Sequence, residues 1–355
     1  MNKTLEEYVA THIESYLPLL STKVSRFRIP FAGPARWPFL VREEDGSHSL
    51  MTSRIRSRLG LFLKSHFCRS FEYADFRNRS CSGCAKAELC SYPRLFMPTY
   101  KCKGKVRDIS PPFVFSITEG GPAHDGEQIY MLNLNLFGRA VELAEILVPA
   151  MNHVLDEIVF PEVDSKWWGE RNLEPYRPFY SYRPNNLFSH GDSSGLDYES
   201  CCSLESSVAG ELSGINLEGK YDVAAHFQTP FQIIDDKGNS LKSMSFHKLI
   251  SKTVTRLRDI KRHYYTGSMG RFAPKFWKVA EGVKDDPNLR YVQARRYSQR
   301  QEASIDLSGM SGSVRYFGVP GFYLPILLGG SLVHVGGKTS HGLGCFSVSL
   351  LNGGE

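Results

Sequence analysis

Near its end the chain reads VHVGGKTSHGLGCFSVSL, residues 333–350, which sets Gly336, Gly337, Gly342 and Gly344 beside Lys338 and His341, just before an alternating, strand-like run. Glycine lacks the Cβ that would hold a ligand away, so a basic, glycine-rich loop suits close approach to a phosphate. The plainer alternative is a tight turn joining a helix to a strand. Upstream, ARRYSQRQ (294–301) places Arg295, Arg296 and Arg300 in a predicted strand, with Tyr297, Ser298, Gln299 and Gln301 between them. Guanidinium groups of that kind meet phosphates, while the interleaved polar and aromatic groups meet bases. A third group is made of thiols. Cys81-x-x-Cys84 is followed by Cys90 and preceded by Cys68, four soft donors in one short stretch. They suit a structural zinc or an iron–sulfur cluster, the alternative being buried, unligated cysteine.

The composition is compatible with these chemistries. The chain has 355 residues, 41% of them hydrophobic, with 43 Lys and Arg against 37 Asp and Glu, a net charge of +6. That is enough apolar material for two cores, and the modest positive excess permits a nucleic-acid partner without requiring one. The charged opening MNKTLEEYVATHIESYLPLLS carries a Thr4-x-x-Glu7 capping pattern and reads as an amphipathic helix, not a signal peptide. No apolar run is long enough to span a bilayer, which gives an expectation of no membrane partner and a cytoplasmic location.

The elements that must position these residues follow a repeated order. Residues 23–31 alternate as a strand, and 51–68 carry Met51, Ile55, Leu59 and Phe62 at helical spacing. Strands are expected over 113–117 and 128–136, then a helix over 140–154. After a Pro-, Ser- and acid-rich stretch, 161–220, the order returns: strand 221–234, helix 246–265, a hairpin of 290–307 with 314–318 about the turn 308–312, a short helix over 323–328 and a final strand. The result is an α+β chain of two tandem ferredoxin-like (RRM-like) domains. Their expected bounds are 1–160, with a cysteine-rich insertion, and 221–355, joined by a connecting or inserted segment over 161–220. With no recognition-helix module evident, the basic features favour RNA over duplex DNA.

The pieces FQTPFQIIDDKG, SFHKLISKTVTRLRDIKRHY, RRYSQRQEASIDLSGMSGSVRYFG and HVGGKTSHGLGCFSV, in this order, resemble the CRISPR-associated endoribonucleases of the RAMP superfamily that process precursor crRNA, the Cas-six family. SRIRSRLGLFLKSHFC, CSGCAKAELCSYPRLF and LNLNLFGRAVELAEILVPAM look like its cysteine-containing branch. The resemblance implies binding of a CRISPR repeat RNA and its metal-independent cleavage by attack of the 2′-OH, leaving a 2′,3′-cyclic phosphate with no cofactor in catalysis. It also implies that the glycine-rich loop contacts the RNA backbone. Other CRISPR-associated proteins or a fused adaptation module become expected partners. Such chemistry needs a base, an acid and cations for the phosphorane. His48 occupies the family's catalytic place before the first long helix, with Arg54 and Arg56 one or two turns on; His341 is the second candidate. His66 reads as packed or near the metal. A non-catalytic RNA-binding subunit of a CRISPR complex is the alternative function.

Overall fold

The computed structural model describes residues 19–34, 40–42, 48–70, 81, 83–102, 104–122, 127–159, 202–234, 241–262, 272–298 and 303–351. The expected helix at the N-terminus lies almost wholly outside them. The first half runs β1 (Lys23–Pro34), a short hairpin β2 (Leu40–Arg42) and β3 (His48–Leu50), then the long helix α1 (Met51–Ser70). After α2 (Ser91–Phe96) and the hairpin β4 (Thr99–Cys102) and β5 (Lys105–Asp108) come β6 (Phe113–Pro122), β7 (Glu127–Phe137) and α3 (Ala144–Val159). β8 (Cys202–Ser203) leads into α4 (Leu204–Glu211). The sheet order is β6-β7-β1-β8 with antiparallel neighbours, so the strand–helix–strand–strand–helix–strand sequence gives the ferredoxin-like arrangement.

The second half repeats it with β9 (Lys220–Phe231), α5 (Phe246–Arg262), α6 (Pro274–Glu281), β10 (Lys284–Val292), a ribbon β11 (Arg295–Ser298) and β12 (Ala303–Asp306), β13 (Gly309–Pro320), α7 (Leu324–Val333) and β14 (Phe346–Leu351). Its sheet order, β10-β13-β9-β14, is again antiparallel throughout. The fold class is as expected: mixed α and β, built on two antiparallel sheets of ferredoxin-like order.

Period-two burial makes each sheet one-sided. In β1, Phe27, Ile29 and Phe31 are buried, and with Leu132, Leu134 and Leu136 of β7 and Phe113 and Phe115 of β6 they meet Ile55, Leu59 and Leu63 of α1 and Leu147, Met151 and Val154 of α3. In the second half α5 buries Phe246, Leu249, Ile250, Val254, Leu257 and Ile260, the i, i+3, i+4 stripe its sequence announces. Each such side chain contributes about 1.5–3 kcal/mol on leaving water. Leu19, Leu20, Val24, Val114, Phe137 and Leu204 of the first half join the second core, so the two halves share apolar contact.

Three expectations change. Cys202–Ser203, inside the stretch 161–220 read as a connection, pairs with Lys23–Val24 and completes the first sheet. The turn expected at 308–312 is absent, because Gly309 to Gly312 already belong to β13, paired with Val292 to Leu289 of β10. The chain instead leaves that sheet to form the separate β11–β12 ribbon, in which Arg295 faces Asp306 and Arg296 faces Ile305 across the ladder. Finally, the apolar helix runs on to Val333 through Gly329 and Gly330. A Cβ at Gly330 would come 2.7 Å from the Thr253 side chain, so α7 lies close against α5 there.

Candidate functional site

The site is where the start of α1 meets the glycine-rich loop. In α1, Arg56 lies four residues after Thr52 and three after Ser53, so each of the two neighbours it on the helix surface. Thr52 Oγ1 donates to the His341 carbonyl at 2.7 Å, and Ser53 Oγ lies 2.9 Å from His341 Nδ1. Arg56 Nε donates to Ser340 Oγ at 3.1 Å, its guanidinium resting 5.4 Å from the centre of the Phe96 ring. From the ribbon, Arg296 Nη1 reaches His341 Nδ1 at 3.4 Å. Lys338 Nζ donates to the Asp306 carbonyl at the ribbon's foot. Beneath these contacts Leu50, Ala294, Leu307 and Leu343 form a small core of their own, tying β3, both ends of the ribbon and the loop together.

The electrostatics follow from this packing. His341 is 8% exposed. Burial, then the positive charges of Arg56, Arg296 and Lys338, hold it well below the ordinary histidine value, so it is neutral at pH 7. An arginine only donates, so Nδ1 is the acceptor and the ring proton sits on Nε2. Burial also lowers Lys338, opposed by Asp306. The arrangement presents two guanidinium groups and two hydroxyls around a neutral imidazole, from elements of both halves, which suits an anion of developing charge.

The loop itself is laced to the protein. Gly344 N–H donates to Pro230 O at 2.8 Å, Gly337 N–H to Gln232 O at 2.8 Å, and Thr229 Oγ1 to Gly342 O at 2.7 Å. Gly342 has φ +86, and a Cβ there would lie 2.3 Å from Thr52 Oγ1; Gly344 has φ +67, and its Cβ would lie 1.8 Å from Val335 O. A Cβ at Gly336 would meet Gln232 O at 2.5 Å. The expectation that these glycines admit an RNA backbone is therefore revised: what approaches Gly336, Gly342 and Gly344 is the protein itself. Only Gly337 among the four would meet its neighbours at ordinary contact, 3.7 Å or more.

Of the residues singled out in the sequence, Arg56, Arg296, Lys338 and His341 come together. His48 lies in β3, paired with Arg42 and two residues before the buried Leu50. Arg54, half-buried, falls on another side of α1 from Thr52 and Arg56. Arg295 is exposed on the ribbon, and Arg300 lies outside the described residues. His66 is exposed, edge-on to Phe67, rather than packed. Thr52, Ser53 and Ser340 were missed. Their signal was present in the i, i+4 spacing of Thr52 and Arg56 and in Ser340 beside His341, but a hydroxyl at a helix start reads first as a cap.

The thiols of Cys68, Cys81 and Cys84 are half-buried and that of Cys90 buried, and none is in a disulfide. Among the described residues no three His, Cys, Asp or Glu side chains are gathered closely enough to hold a metal ion, and no described helix is long and apolar enough to cross a membrane.

Residues 225–346 match the family described as CRISPR-associated endoribonuclease Cas6. Over this C-terminal stretch the chain is similar to the Cas6 family. That match begins inside β9 and ends at the start of β14, so it takes in the ribbon and the whole glycine-rich loop. Residues 48–159, from His48 to the end of α3, match a second family, described as an N-terminal domain (AF_1859_N). A comparison with curated protein sequences returned no match. Among solved structures, a chain of a partial Cas6-RT-Cas1–Cas2 complex aligns over 93% of this chain and 46% of its own, with 11% identity and a TM-score of 0.45. A Thermus thermophilus Cas6 aligns over 92% and 99%, with 12% identity and a TM-score of 0.41. The present chain thus spans about half the length of the first of these.

Proposed function

We propose that this chain binds a CRISPR repeat RNA across the junction of its two halves and cuts precursor crRNA there by attack of a 2′-OH on the adjacent phosphate. The observation that carries the reading is the convergence of Arg56 from α1, Arg296 from the ribbon and Ser340–His341 from the loop on one point, in a chain with a Cas6 match. The O2′–P bond forms as the P–O5′ bond breaks and the departing O5′ takes a proton from water, giving a 2′,3′-cyclic phosphate and a 5′-OH. His48, in the strand that enters α1, takes the 2′-OH proton, as histidine can near neutral pH. Arg56 and Arg296 offset the negative charge that builds on the phosphorane, the part a metal would otherwise fill, so the step needs none. His341 stays neutral and acts as a positioning residue for Ser53 and Arg296. Arg295 extends the cationic ribbon along the RNA backbone, and Arg300 supplies a further phosphate contact in the same reading. An association with other CRISPR-associated proteins belongs to the same reading, since one similar chain is part of a Cas6-RT-Cas1–Cas2 complex.

The test is incubation of the chain with repeat-containing RNA in EDTA. A single cut ending in a cyclic phosphate is expected, with His48→Ala or Arg296→Gln slowing single-turnover cleavage by about 10²–10³-fold. Tight binding without any cut, with or without divalent ions, would contradict the nuclease reading and leave an RNA-binding subunit.

A further inference from the structure

We infer that the second half carries a nucleotide-binding pocket at the end of its sheet opposite the glycine-rich loop, with the base against Phe317 and the phosphate among Lys220, Lys275 and Lys278. The cavity measures about 410 Å³, a volume typical of small-molecule sites. Three elements border it: the start of β9, one face of α6 and the end of β13. On α6 and its cap, Lys275, Lys278, Val279 and Gly282 follow the i, i+3, i+4, i+7 spacing of a single helix face, while Phe276 and Ala280 are buried in the core.

A bulge brings the aromatic ring to this cavity. β13 pairs Tyr316 with Val223 and Val319 with Tyr221, so over this stretch it holds one more residue than β9. An extra residue of that kind re-aims a side chain. Phe317 is accordingly 41% exposed, although its neighbour Tyr316 is fully buried. Gly318 takes the left-handed step, φ +64, and its N–H donates to Asp222 Oδ1 at 2.8 Å, which fixes the bulge. A Cβ at Gly318 would meet nothing within 4 Å, so the space beside the ring is open. A lone exposed ring means little by itself. This one lines a hollow whose other apolar side chains are Val279, Val283, Pro320 and Phe322.

The charge of the lining is one-sided. Lys220, Lys275 and Lys278, all exposed, stand against the single carboxylate of Glu218. An apolar hollow with an aromatic wall and a cationic rim matches a nucleotide in both of its parts: the base offers a π-face to Phe317, and the phosphate offers charge to the ammonium groups. The unit is either a free nucleotide or one nucleotide of an RNA strand. Lys220 lies at the pocket, whereas Phe231, about 36 Å further along β9 at about 3.3 Å per residue, is followed by Gln232, whose carbonyl accepts from Gly337 of the loop. The pocket is thus remote from the proposed cleavage site and does not rest on the nuclease reading.

The test titrates the full chain with AMP, adenosine and inorganic phosphate in turn, by calorimetry at low salt. AMP should bind at least about tenfold more tightly than either of the others, because only AMP engages both the ring and the lysines. Phe317→Ala should weaken AMP binding about tenfold, the scale of one base–aromatic stack, whereas Phe317→Tyr, which keeps the ring, should retain it. Lys275→Gln with Lys278→Gln should weaken binding and flatten its salt dependence. Displacement of AMP by a short single-stranded RNA would assign the pocket to a strand; AMP that stays bound would assign it to a free nucleotide. AMP binding that is undetectable at millimolar concentration, no tighter than that of phosphate, or unchanged by Phe317→Ala would overturn the pocket. The comparison of the three ligands needs only the native chain, so a variant that fails to fold does not blur the result.

Discussion

Substituting Gly342 with alanine strikes the contact on which the site depends. At φ +86 an L-residue carries about 1–2 kcal/mol of backbone strain, and the new methyl would sit 2.3 Å from Thr52 Oγ1 and 2.6 Å from Thr52 Cβ. Overpacking of a buried contact adds about 1–3 kcal/mol, so Gly342→Ala should cost about 2–5 kcal/mol in all. Thr52→Gly removes the three atoms nearest the new methyl, at the expense of the buried hydrogen bond to the His341 carbonyl and some helix propensity, about 1–2 kcal/mol together. The two changes should therefore couple. In a double-mutant cycle read by urea denaturation, the double variant is expected to be at least about 1 kcal/mol more stable than the sum of the singles predicts, the residual cost being the φ strain that Thr52→Gly cannot relieve. Additivity within about 0.5 kcal/mol would refute the reasoning, because it would mean that the start of α1 and the loop do not touch as described.

Three further predictions concern the same junction. Burial, with the charge of Arg256, lowers His334 to about 3, and His341 is also held low, so both bind protons more readily unfolded than folded. Their contribution is present above pH 6.5 and is lost as pH falls: denaturation series at pH 7 and pH 5 should differ by about 2 kcal/mol for His334 alone, with His334→Asn flattening the slope. Gly337→Ala should cost under about 1 kcal/mol and Gly344→Ala several, since their methyls would meet neighbours at 3.7 Å and 1.8 Å; equal melting temperatures would contradict the loop geometry. Arg295→Gln with Arg296→Gln should weaken RNA binding and reduce the slope of log K against log salt by about 1.4, at about 0.7 per lost phosphate contact; an unchanged slope would return the ribbon to a purely structural part.

Much of the scaffold was legible because burial imposes simple periods. Phe27, Ile29 and Phe31 alternate as a half-buried strand must, and the stripe from Phe246 to Ile260 repeats as a helix face must. β10 was not legible at its start. Asp285, Asp286, Pro287 and Asn288 are poor strand formers, tolerated here because β10 is an edge strand, where an unpaired backbone side faces outward. Arg256 was not legible either: it sits among the other cations of α5, yet it is 3% exposed and donates to the carbonyls of Val333 and Pro111, joining the halves. His334 gave no warning either, although at φ 61 and ψ 166 it holds a backbone region favoured almost only by glycine. In the candidate site, the loop and the ribbon declared themselves by composition. Their meeting with Thr52, Ser53 and Arg56 did not, because those residues lie some 280–290 positions from the loop in sequence and only the packing of one half on the other unites them.

The central claim is that a 2′-OH of the bound RNA is the nucleophile at this junction. Single-turnover cleavage and binding of two repeat RNAs, one all-ribose and one with a single 2′-deoxy sugar at the cut site, measured in EDTA, test it most directly. The account predicts matching affinities, cleavage of the first RNA to a 2′,3′-cyclic phosphate and no cleavage of the second. Cutting of the deoxy-substituted RNA at a comparable rate would contradict it.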